Sequence, residues 1–90
     1  MARKEHVTKV IDGDTFRTSS RKNSVRLARI NAPEKGQPGF VKAKDQLSKL
    51  VSDEEVRIDP VARDKYGRTV ANVYKGRKSV NKEMQKKLKR

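Results

Sequence analysis

Ninety residues with 24 Lys and Arg against 11 Asp and Glu carry a net charge of +13, and 32% of positions are apolar, 39% charged and none cysteine. That length suits one domain with a small core; the lack of cysteine excludes disulfides and thiolate metal sites, and no run approaches the ~18 apolar residues of a membrane span. The positive surplus favours a polyanion such as nucleic acid, whereas 4% aromatic content speaks against a binder built on stacked bases, and the basic stretches lack the apolar anchors of a membrane-surface helix.

In chain order, residues 1–5 read as a flexible basic lead-in without the apolar centre of a secretory leader, so a cytoplasmic location is expected unless a leader has been removed. Val7 to Ile11 reads as a first strand, Asp12-Gly13 as a turn and Thr15 to Thr18 as a second strand. Ser19 to Asn23 is a polar turn, and Val25 to Ile30 a third strand. Asn31 to Gly39, with Pro33, Gly36, Pro38 and Gly39, is a loop. The period then changes: Phe40, Ala43, Leu47, Leu50 and Val51 share one helical face over 40–51. Val56 to Ile58 returns to a short strand, Asp59 to Arg68 is a second loop around Pro60 and Gly67, and Thr69 to Tyr74 is the fifth strand. Ser79 is placed to cap a final helix with a Val80, Met84, Leu88 stripe, whose Lys86, Lys87, Lys89 and Arg90 suit a helix C-terminus. This order predicts a single α+β domain, mainly β. It is a five-stranded OB-type barrel with one helix between strands 3 and 4 and a C-terminal helix.

Three segments hold residues suited to phosphate chemistry: Ile11 to Thr15, Arg26 to Glu34, and Asp64 to Arg68. Asp14 and Glu34 are carboxylates able to gather a hard divalent cation. Arg26 and Arg68 can each fork onto phosphate oxygens, a geometry lysine does not reproduce. Each residue also has a plainer reading. Asp-Gly is a common hairpin turn, in which Asp12 bonds backbone amides. Arg26, between Val25 and Leu27 in a half-buried strand, needs an anion and finds one in Asp14, Glu34 or substrate. Glu34, on a loop stiffened by Pro33, is either a solvated side chain or a base beside a metal-bound water. Gly67 points to a backbone conformation that a side chain disfavours. Tyr66 either packs into the core, the preferred reading, or touches substrate. His6 has no nucleophile to activate and reads as structural or exposed.

Together and in this order, Asp12-Gly13-Asp14-Thr15, Val25-Arg26-Leu27, Ala32-Pro33-Glu34, Asp64-Lys65-Tyr66-Gly67-Arg68 and Val80-Asn81 resemble the staphylococcal nuclease (thermonuclease-like) family. The resemblance spans about residues 7–88. It implies an OB-fold enzyme that uses Ca2+ to hydrolyse DNA and RNA and leaves 3′-phosphates. By resemblance, Asp14 ligates the metal, and the family's second metal carboxylate falls on Asn31. The Ala32 carbonyl would complete the protein ligands, and Glu34 would be the general base or water orienter. Arg26 and Arg68 would clamp the phosphate, while Lys65 and Tyr66 would line the nucleotide site. A monomer acting on DNA or RNA, with no membrane partner, is therefore expected. The alternative, favoured by the neutral Asn31, is a weakly active or inactive module that keeps the fold and binds nucleic acid.

Overall fold

The computed structural model describes residues 4–88. In order, it contains β1 (Lys4–Asp12), β2 (Thr15–Thr18), β3 (Val25–Leu27), α1 (Phe40–Val51), β4 (Glu55–Arg63), β5 (Thr69–Lys75), β6 (Lys78–Ser79) and α2 (Val80–Leu88). The strands run β3-β2-β1-β4-β5-β6 across the sheet, antiparallel between neighbours. A parallel pairing of β3 with β5 closes β1 to β5 into a ring. This is the expected five-stranded OB-type barrel, with β6 as a short outer addition.

The interior is filled by alternating strand residues and by one stripe from each helix. Phe16, Leu27, Leu47, Ile58 and Met84 are its largest fully buried side chains, with Val7, Val25, Val51, Val56, Val73 and Val80 packed around them. Helix α1 turns Ala43, Leu47 and Val51 inward, and α2 turns Val80 and Met84 inward with Leu88 at the edge. The Ser79 hydroxyl accepts the Lys82 N–H at 3.2 Å, as expected of a cap. Asn81 is a buried polar link: its Oδ1 accepts the Val73 N–H, and its Nδ2 donates to Ala28 and Ala71 carbonyls. It ties α2 to β5 and to the exit of β3.

Bulges do what simple alternation would not. Val7 pairs with Thr18 but Lys9 with Arg17, so β1 carries an extra residue there, and Val7 and Val10 both face the core despite their odd spacing. A second shift, between Val10 and Asp12, bends β1 into the Asp12-Gly13-Asp14 turn. At Gly13 an added Cβ would lie 2.7 Å from the Ala32 Cβ, 2.6 Å from the Ala43 Cβ and 3.2 Å from the Ala43 backbone. Glycine is required there because α1 and the loop after β3 press against the turn.

Four boundaries depart from the sequence expectation. β1 starts at Lys4, so Lys4 and Glu5 are not a loose lead-in; residues 1–3, and Lys89 and Arg90 at the other end, lie outside the described residues. Glu5 is buried because its carboxylate accepts bonds from Thr18, Ser20 and Arg21. β3 stops at Leu27 rather than Ile30, where the chain turns through Arg29 at φ +63°. β4 continues to Arg63 through a stretch read as loop, since a bulge between Pro60 and Ala62 accommodates the proline, which has no N–H to donate. β6 was not expected at all; it pairs Lys78 and Ser79 back onto β5.

Candidate active site

Strand register brings distant residues to one end of the barrel. Thr15 pairs with Arg26, and Val25 with Thr69. The turn before β2, the middle of β3 and the residue preceding β5 are thereby neighbours, and they carry Asp14, Arg26 and Arg68. The loop leaving β3 folds over the same end. The result is a polar cavity of about 270 Å³ lined by Asp14, Arg26, Asn31, Ala32, Glu34, Gln37 and Arg68. A larger depression of about 820 Å³ over the start of α1 gathers no arginine. Converging charge, rather than volume, marks the site.

Asp14 is 7% exposed and is held by three neighbours. Its Oδ1 accepts the Thr15 hydroxyl at 2.9 Å; its Oδ2 accepts the Ala32 N–H at 3.1 Å and lies 3.5 Å from Arg26 Nη2. Asp12 Oδ1 accepts the Asp14 N–H, the turn-capping role expected of it. Burial first, and then the adjoining Asp14 carboxylate, push the Asp12 carboxyl up to about 6.

Arg26 Nη2 donates to the Ile30 carbonyl and to Asn31 Oδ1, both at 2.9 Å, and Nη1 reaches the Leu27 carbonyl at 3.4 Å. The guanidinium is thus anchored by backbone oxygens on one side and set between Asp14 and Asn31. Among the described residues Glu34 takes part in no ion pair with it, so Asp14 is the anion that offsets its desolvation.

Arg68 is held by Asp64. The Arg68 Nε–H donates to Asp64 Oδ2 at 2.6 Å, while Asp64 Oδ1 accepts the N–H groups of Tyr66 and Arg68. Gly67 completes this turn at φ +82°. Desolvation works against ionisation of Asp64, but the bonds from Arg68 and Tyr66 outweigh it and hold the carboxyl below its usual value. With Nε engaged, the two Nη groups of Arg68 make no hydrogen bond among the described residues and face a ligand. The Arg68 guanidinium also lies 5.4 Å from the Tyr66 ring centroid.

Six of the eight residues singled out in the sequence line this cavity: Asp14, Arg26, Asn31, Ala32, Glu34 and Arg68. Lys65 and Tyr66 do not. Tyr66 is 72% exposed, which corrects the core reading: the closed Asp64–Arg68 turn carries its ring outward, beside Lys65 and Arg68. His6 stands outside the site, its Nε2 3.5 Å from Asp53. Asp64 was named in the sequence but given no role, and Gln37 was not singled out. Asp64 was legible as an acid four positions before Arg68; Gln37, in a Gly- and Pro-rich loop, gave no signal of its own.

The class defined by these features is a small OB barrel with carboxylate and guanidinium groups facing one another in a cavity at one end. The chain belongs to the staphylococcal nuclease homologue family, whose sequence model matches residues 24–87. It is 43% identical over 83 residues to an uncharacterized endonuclease of Haemophilus influenzae, covering 89% of this chain and 47% of that protein. It is 39% identical over 70 residues to a micrococcal nuclease of Shigella flexneri, covering 76% of this chain and 40% of that protein. The chain therefore spans about half the length of the curated relatives it matches.

Proposed function

We propose that the protein is a calcium-assisted nuclease that hydrolyses phosphodiester bonds of DNA or RNA and leaves 3′-phosphate ends. The observation that carries this reading is the convergence of Asp14, Arg26, Glu34 and Arg68 on one cavity. Binding a polyanion needs positive charge alone, whereas this set adds carboxylates where hydrolysis would use them.

The donor set fits a hard cation, since Asp14, Asn31 and the Ala32 carbonyl offer only oxygen. A carboxylate has about four lone-pair sites; Asp14 commits two to hydrogen bonds from Thr15 and Ala32 and lies 3.5 Å from Arg26 as an ion pair. Asn31 Oδ1 commits one of two, to Arg26. Each retains room for a metal bond. Among the described residues no three His, Cys, Asp or Glu side chains cluster, so the site is poor in charge and its calcium affinity is low. When bound, the ion would supply Lewis-acid charge to the phosphate.

In this reading Arg26 and Arg68 bind the non-bridging oxygens and hold the phosphorus for in-line attack. Glu34 accepts a proton from the attacking water as its oxygen bonds to phosphorus. The bond from phosphorus to the 5′ oxygen breaks, and that oxygen takes up a proton from solvent. The products are a 3′-phosphate and a 5′-hydroxyl. The donors of Arg26 and Arg68 meet the charge that grows on the equatorial oxygens. Lys65 and Tyr66 would contact the adjoining nucleotide; the Arg68 guanidinium and the Lys65 ammonium both lie near the Tyr66 ring, which supports this.

End-labelled single-stranded DNA and RNA, incubated with calcium or with chelator, test the proposal. Calcium-dependent cleavage with 3′-phosphate ends is expected. Salt-sensitive binding without turnover at any millimolar calcium level would instead establish a nucleic-acid-binding module.

A further inference from the structure

We infer that Gln37 is a positioning residue, fixing the backbone that presents Glu34 to the phosphate; the inference rests on the nuclease reading above. The Glu34 N–H donates to Gln37 Oε1 at 2.7 Å, and the Gln37 N–H donates back to the Glu34 carbonyl at 2.9 Å. Two bonds in opposite directions thus close the segment 34–37. Gly36, at φ +92°, lets the chain reverse between them. The Gln37 carbonyl in turn accepts the Phe40 N–H at 3.2 Å, so the closed turn is fastened to the first residue of α1.

This matters because of how Glu34 is held. Its carboxylate forms no ion pair among the described residues, and the residue is exposed. Asp14 is fixed by three partners and Arg68 by Asp64, but Glu34 depends on the backbone that carries it. Pro33 limits that backbone on one side; the Gln37 carboxamide limits it on the other. A backbone N–H can only donate, so the carboxamide must present its oxygen to Glu34. Among the described residues the Gln37 Nε2 group makes no hydrogen bond, and Gln37 lines the same cavity as Glu34, Arg26 and Arg68.

Two substitutions separate positioning from bulk and from charge. Gln37→Met keeps the length of the side chain and removes the acceptor. Gln37→Glu keeps an acceptor for the Glu34 N–H and adds a negative charge. With Gln37→Met, kcat is expected to fall roughly tenfold, part of the ~10²–10⁴ that a placed general base supplies, with KM changed less than twofold. With Gln37→Glu, the acceptor for the Glu34 N–H is restored and kcat recovers toward the parent value, while KM rises through repulsion of the phosphate. The Glu34 amide provides a readout independent of turnover: slowed hydrogen exchange in the parent and in Gln37→Glu, lost in Gln37→Met.

An unchanged kcat in Gln37→Met, or equal protection of the Glu34 amide in all three proteins, would overturn the inference. A fall in kcat that Gln37→Glu fails to restore would overturn it as well. Absence of any cleavage by the parent protein would remove the nuclease reading instead. The amide exchange would then still decide whether Gln37 holds the turn.

Discussion

Asn31→Asp tests the proposed metal site most directly, because it changes one atom type at a residue whose partner is known. Asn31 Oδ1 accepts from Arg26 Nη2 at 2.9 Å, so an aspartate there meets a guanidinium already in place. That bond gains charge assistance, which raises its worth from about 1 to about 2 kcal/mol and offsets repulsion from Asp14. Calcium gains more. Asn31 is exposed, so a water-like dielectric applies, and a unit charge pair at ~4 Å is worth about 1 kcal/mol. A doubly charged ion doubles that to about 2 kcal/mol, less what the ion surrenders by drawing the new carboxylate away from Arg26. A net gain of about 1–2 kcal/mol remains, or roughly tenfold tighter binding. Calorimetric calcium titration of both proteins reads the affinity, and activity against calcium concentration should shift to lower metal by a similar factor. Equal affinity and an unmoved activity curve would show that Asn31 lies outside the metal shell and that the ligand set proposed here is wrong.

Arg68→Lys should cost about 2–4 kcal/mol of transition-state stabilisation, seen mainly in kcat, since lysine cannot keep the Nε bond to Asp64 and still present a fork; a matching loss of fold stability in urea would make Arg68 a structural residue. Gly13→Ala places a methyl within 2.7 Å of Ala32 and against the Ala43 backbone, so a loss of about 1–3 kcal/mol in denaturant unfolding is expected, with activity falling further as the Ala32–Asp14 bond is pushed apart. Glu5→Gln probes the opposite end of β1. Burial raises the Glu5 carboxyl, but the bonds from Arg21, Ser20 and Thr18 outweigh it and hold it below its usual value. Stability from its ionisation is therefore fully present above the unfolded pKa near 4.5 and is lost as pH falls through the lower folded value. The variant should be about 1–3 kcal/mol less stable at pH 7, with a deficit that shrinks below about pH 4.

Much of this architecture was legible in the sequence because short-range pattern and long-range packing agree in it. The stripes of α1 and α2, the Asp-Gly turn and the Ser79 cap are local features, and they form as read. Glu5 was misjudged for a different reason. A charged residue in a basic lead-in looks solvated until Arg21, sixteen positions on, is folded against it. Pro60 misled in the same way: proline argues against a strand unless a bulge relieves the ladder, and the bulge depends on pairing with β5.

The site divides along the same line. Asp14, Arg26, Glu34 and Arg68 were singled out by residue type and Asn31 and Ala32 by resemblance alone, and all six line one cavity. What holds each of them is a property of the fold. The extra residues in β1 let Val7 and Val10 both face the core while bending the strand into the turn that presents Asp14. The parallel register of β3 on β5 brings Arg68 to the start of β3, beside Arg26. The neighbours that orient these groups are Asp64, which accepts from Arg68 and Tyr66, and Gln37, whose carboxamide accepts the Glu34 N–H. Arg68→Lys or Gln37→Met would leave the buried core untouched. Each would still alter the site, because fold and function in this domain draw on different residues at the same end of the barrel.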